Sequence, residues 1–87
     1  MVMYVSVNNK ISSDKEAVIP ADDRGFLYGD TVFDTIVAFS GELIDAILHL
    51  ERLRNAALQI GLILPWSNEE LLFEMNELVR RIPASRV

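Results

Sequence analysis

Eighty-seven residues, 51% hydrophobic and 24% charged at a mean hydropathy of +0.23, carry enough apolar surface for one small folded unit, which excludes a disordered tail. A net charge of −5 and the lack of any basic stripe exclude a surface built to grip phosphodiester backbones. With no cysteine and a single histidine, His49, the chain has no disulfide framework, no thiolate nucleophile and no cysteine or histidine metal cluster.

The charge is unevenly placed. Residues 1–45 hold eight acids and three bases, whereas residues 46–87 hold five acids and five arginines, any of which can bind one small anion locally. The longest apolar run, residues 60–65, is broken by Gly61 and falls far short of the roughly 20 residues of a membrane span. The N-terminus lacks the basic segment and apolar core of a signal peptide, so a cytoplasmic location is expected.

In chain order, residues 2–7 are rich in β-formers without clean alternation, which predicts a strand covered on both faces. Asn8 and Asn9 tolerate positive φ and predict a hairpin turn into a return strand over residues 10–12. Residues 13–25 are polar, include Pro20, Asp22, Asp23 and Gly25, and read as an irregular loop. Residues 31–39 give the strongest strand pattern, with Phe33, Thr35, Val37 and Phe39 on one face. Ser40-Gly41 predicts a tight turn, after which residues 42–45 pair back.

Two helices are predicted next. Asp45 caps the first, whose stripe is Leu50, Leu53, Ala57 and Ile60, and Gly61 ends it. Ser67-Asn68-Glu69-Glu70 is a capping box opening the second, with Leu71, Leu72, Met75, Leu78, Val79 and Ile82 on its apolar face. Glu69 and Glu70 at its start and Arg80 and Arg81 at its end complement the helix dipole, and Pro83 stops it. Ala84-Ser85-Arg86-Val87 reads as a turn into a further strand. The predicted fold class is α+β: short, mostly antiparallel strands followed by two helices. So small and apolar a unit buries little by itself, which makes residues 1–87 a single partial domain in need of a partner surface.

The run Asp23-Arg24-Gly25-Phe26-Leu27-Tyr28-Gly29-Asp30-Thr31-Val32-Phe33-Asp34, then Ser40-Gly41, then His49-Leu50-Glu51-Arg52-Leu53, resembles the class IV aminotransferases. That family also contains the aminodeoxychorismate lyases. The resemblance covers roughly residues 3–82 and rests on the order and spacing of the motifs. It implies pyridoxal phosphate as cofactor, an amino acid and a 2-oxo acid as substrates, a homodimer, and the small N-terminal domain of the type IV fold.

Roles follow from the resemblance residue by residue. Arg52 matches the arginine of His-x-x-Arg-Leu, which binds the cofactor phosphate; a guanidinium offers phosphate oxygens a planar, permanently charged fork of donors. His49 matches the motif histidine and is expected to support packing or orient Arg52. Tyr28, Phe33 and Val37 match positions lining the substrate side of the pocket, although Val37 departs from the arginine found there in branched-chain aminotransferases. Gly25 and Gly29 bracket the loop, where close backbone approach or positive φ is needed. Asp30 and Asp34 read as loop and strand-surface acids.

The chemistry requires a Schiff-base lysine. Only Lys10 and Lys15 are present, both before the motif, whereas relatives carry that lysine on a larger second domain, so no catalytic residue is assigned here. By itself this chain is expected to be inactive. Alternatives to an aminotransferase segment are an aminodeoxychorismate lyase of the same family and a non-catalytic α+β dimerisation module.

Overall fold

The N-terminal hairpin turns where two adjacent asparagines take up left-handed backbone. In the computed structural model, which describes residues 3–82, Asn8 and Asn9 have φ of 52° and 64°. Two positive φ values in a two-residue loop match the right-handed twist of the flanking strands. Thus β1 (Tyr4–Val7) pairs antiparallel with β2 (Lys10–Ser13), Val7 opposite Lys10 and Tyr4 opposite Ser13. Val2, Pro83 and the Ala84-Ser85-Arg86-Val87 turn lie outside the described residues. The expectation of a strand covered on both faces is corrected: Tyr4 is exposed and Val5 to Val7 are only half-buried, because one helix covers the hairpin. Ser6 shows the contact, its hydroxyl donating to Glu74 Oε1 at 2.8 Å.

The predicted loop of residues 13–25 gives way at its end to a short helix, α1 (Arg24–Tyr28). Asp23 Oδ2 accepts from the Phe26 N–H at 3.2 Å as N-cap, and Gly29, at φ 75°, closes the turn by donating to the Gly25 carbonyl at 3.1 Å. Five residues carry too little periodicity to show a helix in sequence. A Cβ at position 25 would stand 3.0 Å from the capping oxygen of Asp23, so any larger residue there must push the cap aside.

Residues 31–39 depart most from expectation. Only the last two form a ladder, β3 (Ala38–Phe39), paired with β4 (Glu42–Leu43) around Ser40 and Gly41, whose φ values are 50° and 81°. One further bond, from the Ile44 N–H to the Val37 carbonyl at 2.8 Å, extends the pairing. The period of two is nevertheless kept: Val32, Asp34, Ile36 and Ala38 are half-buried, while Phe33, Val37 and Phe39 point outward. The segment is written as a strand but has no neighbouring strand, among the described residues, to pair its first two-thirds.

Helix α2 (Ala46–Gln59) starts at Asp45 as expected, but not through its side chain. Asp45 has left-handed backbone (φ 53°, ψ 36°), not the extended conformation that brings an N-cap oxygen over the first N–H groups, and makes no side-chain cap bond. Leu50 and Ala57 are buried and Leu53 half-buried, whereas Ile60 lies beyond the last turn and is exposed. Gly61 (φ 80°) ends the helix as predicted, in a Schellman arrangement: its N–H reaches the Leu58 carbonyl at 3.1 Å and that of Leu62 reaches Ala57 at 2.8 Å.

Helix α3 (Asn68–Val79) opens with the predicted capping box, Glu70 N–H to Ser67 Oγ and Ser67 N–H to Glu70 Oε1, both 3.1 Å. Ser67→Ala is therefore expected to cost about 1 kcal/mol of stability, measured by urea unfolding, with Ser67→Asp close to wild type. Arg80 and Arg81 lie just past the helix; both pair with Glu77, and Arg81 Nη1 also donates to its carbonyl at 2.8 Å, satisfying one last-turn acceptor. Arg54 joins the two helices by donating to the Trp66 carbonyl at 2.8 Å and Asn68 Oδ1 at 2.9 Å.

The architecture is α+β, with α3 packed on α2, β1 and β4. It is a slab of 38 × 30 × 17 Å with a radius of gyration of 13.9 Å, against the ~12 Å of a well-packed domain of this length. The thinness has a cause. Buried apolar residues among those described are Ala46, Leu50, Ala57 and Val79, while Phe26, Tyr28, Phe33, Phe39, Ile63 and Phe73 lie open. Among the described residues, no helix is long and apolar enough to cross a membrane.

Candidate functional site

The inward row of residues 30–39 places one carboxylate, Asp34, against α2. Its side chain retains 12% exposure, and a charge so placed needs partners. Helix α2 supplies two from its first turns, since residues three apart lie on one side. Arg52 donates from Nη2 to Asp34 Oδ1 at 2.8 Å and from Nε to Oδ2 at 3.1 Å, a bidentate pair. His49 Nδ1 lies 3.2 Å from Oδ1, and the Thr35 N–H donates to the same oxygen at 2.7 Å.

The electrostatics follow from these contacts. The Arg52 hydrogen bond is the main cause that lowers the Asp34 carboxyl from its ordinary 3.8 to about 2; partial burial opposes it, and the Thr35 N–H and His49 add to it. In return, Asp34 raises the Arg52 guanidinium, first by hydrogen bonding and then by charge. A carboxyl depressed in the folded state adds stability that is complete above about pH 4 and is lost as pH falls towards 2. Asp34→Asn is therefore expected to flatten the acid arm of the stability profile in that window, read by thermal unfolding across pH 2–5. An unchanged slope would mean that the ion pair does not form.

Arg52 itself is 68% exposed. Pairing through Nε and Nη2 leaves the Nη1–Nη2 fork turned away from Asp34, and no other hydrogen-bond partner holds it among the described residues. Beside it, Phe33, Asp34, Thr35, Leu53 and Ala56 line an open depression. Of the site residues suggested by sequence, the structure brings Phe33 to Arg52 and leaves the other two elsewhere. Tyr28 ends α1, exposed, with the Arg24 guanidinium 5.2 Å from its ring centroid, and Val37 lies exposed further along the outward row.

Sequence reasoning missed Asp34 as the centre of the cluster. Asp30 does behave as a surface acid, paired with Arg24 at 2.8 Å. Parity does not separate the two acids, since both fall on the row opposite Phe33. What separates them is their partners, Arg24 for Asp30 and the Arg52 and His49 side chains of α2 for Asp34.

No family model matches the chain. Among curated proteins it is similar to a D-alanine aminotransferase of Listeria monocytogenes, 34% identical over 77 residues, covering 88% of this chain and 27% of the relative. The D-alanine aminotransferase of Staphylococcus epidermidis is 36% identical over 78 residues, covering 90% and 26%. That of Bacillus licheniformis is 34% identical over 77 residues, covering 88% and 27%. The chain thus spans about a quarter of the length of the curated relatives it matches. With more than 30% identity to each along nearly nine-tenths of its residues, the chain is homologous to one segment of these aminotransferases.

Proposed function

We propose that this chain forms the phosphate-holding part of a pyridoxal-phosphate-dependent aminotransferase, which moves an amino group between a D-amino acid and a 2-oxo acid. The observation that carries the reading is the Arg52 guanidinium, fixed along one edge by Asp34 and open along the other. The donor set fits the phosphate end of the cofactor: a permanent positive charge, a planar fork and an exposed approach. The relatives' names support transamination over the lyase reaction, and D-alanine as an amino donor.

In this reading Arg52 binds the phosphate, and Asp34 and His49 set its orientation. Tyr28, Phe33 and Val37 wall the substrate side, and the protein works as a cytoplasmic homodimer. When bound, the cofactor supplies the electron sink that stabilises charge at the substrate Cα. The lysine this chemistry needs comes from outside the chain: Lys10 sits on β2 and Lys15 in the following loop, and neither lines the depression at Arg52. The isolated 87 residues are therefore inactive.

The test is an assay of the full-length protein with cofactor, D-alanine and a 2-oxo acid acceptor. Pyruvate formation that depends on the acceptor, and fails with L-alanine, is the expected result. A cofactor-loaded protein that transfers no amino group from any D- or L-amino acid would overturn it.

A further inference from the structure

We propose that Asp34 is a positioning residue of the anion site, holding the Arg52 guanidinium so that its outer fork faces the cofactor phosphate. This rests on the reading of Arg52 as the phosphate ligand. The carboxylate is a fixed platform: the Thr35 N–H at 2.7 Å and His49 Nδ1 at 3.2 Å hold it independently of Arg52. From that platform, bonds to Nε and Nη2 settle both the direction and the plane of a long, largely exposed side chain. A ligand arriving at the Nη1–Nη2 fork then meets a side chain already ordered, and the rotamer freedom lost on binding is small.

The same carboxylate also carries a negative charge next to a bound anion, so its two effects oppose each other. Orientation wins for a physical reason. Arg52 is 68% exposed, so solvent and salt screen the repulsion between Asp34 and a phosphate on the far side of the guanidinium. Bidentate alignment is a contact effect that solvent does not screen away. The sign of the change on removing Asp34 therefore distinguishes positioning from simple charge neutralisation.

The experiment titrates the full-length protein with pyridoxal 5′-phosphate and, separately, with pyridoxal, which lacks the phosphate. Asp34→Ala should weaken pyridoxal 5′-phosphate binding by at least about fivefold and leave pyridoxal binding unchanged. Asp34→Glu, which keeps the charge and both acceptors, should recover part of the loss. Binding that is unchanged or tighter in a folded Asp34→Ala protein overturns the inference, as does an equal loss for both ligands. If Asp34→Ala does not fold, Asp34→Asn decides: its amide presents a donor to one Arg52 nitrogen, and it should show the same phosphate-specific loss. Arg52→Ala run alongside separates the two levels. If it too binds normally, the reading of Arg52 as the phosphate ligand fails; if only the Asp34 variants bind normally, positioning alone fails.

Discussion

Leu50→Ala is expected to lower the unfolding free energy by about 2–5 kcal/mol. Leu50 is 3% exposed, and of the four buried apolar residues described it is the largest, the others being Ala46, Ala57 and Val79. Its side chain comes off α2 one residue after His49, so the same turn that fills the interior also carries a partner of Asp34. Truncation removes apolar burial and leaves a void in a slab 17 Å thick that has little else to collapse into the space. Leu48, two residues earlier and 64% exposed, provides the control: Leu48→Ala should change stability by less than about 1 kcal/mol. Urea unfolding followed by circular dichroism measures both, and a Leu50→Ala loss below 1 kcal/mol would show that α2 is not anchored through this residue.

The local chemistry of turns and caps was the most readable part of the fold. Asn8-Asn9, Ser40-Gly41, Gly61 and the Ser67 to Glu70 box each use a residue type that only a few backbone shapes reward, and each sits where expected. Asp45 shows the limit of that logic, since it stands at the predicted position with left-handed backbone and makes no side-chain cap. Pairing was harder to read. Residues 31–39 keep the alternation that announces a strand, but alternation reports which side chains face inward, and a ladder also needs a neighbour at the right distance. Here only Ala38–Phe39 meet one. Helix α1 escaped because its cap and its closing glycine are six residues apart, too close for an apolar stripe.

A motif singled out Arg52 and the resemblance singled out Phe33, and the structure sets the two beside one depression. Nothing in the sequence singled out Asp34. Acids on strands are usually solvated, and nothing local distinguishes Asp34 from Asp30 until α2 is laid across the inward row. The contact joins residues 18 apart in sequence, which no window of local periodicity spans. Family resemblance also grouped Tyr28 and Val37 with Phe33, whereas in this structure neither lines the depression beside Arg52.

Arg52→Ala should weaken binding of pyridoxal 5′-phosphate by the full-length protein at least tenfold, the largest change expected of any substitution at the site. The guanidinium combines charge with the donor fork at the depression, and the truncation removes both while touching none of the buried residues of α2. Freed of its partner, Asp34 would also present an uncompensated carboxylate to an arriving anion, which deepens the loss. Stability should also fall near neutral pH, where the depressed Asp34 carboxyl contributes fully, so binding is compared on protein that circular dichroism shows to be folded. Titration of wild-type and Arg52→Ala protein with pyridoxal 5′-phosphate and with pyridoxal is the direct measurement. A loss of tenfold or more for the phosphorylated ligand and none for pyridoxal is the expected result. Equal affinities of the two proteins for pyridoxal 5′-phosphate would contradict it.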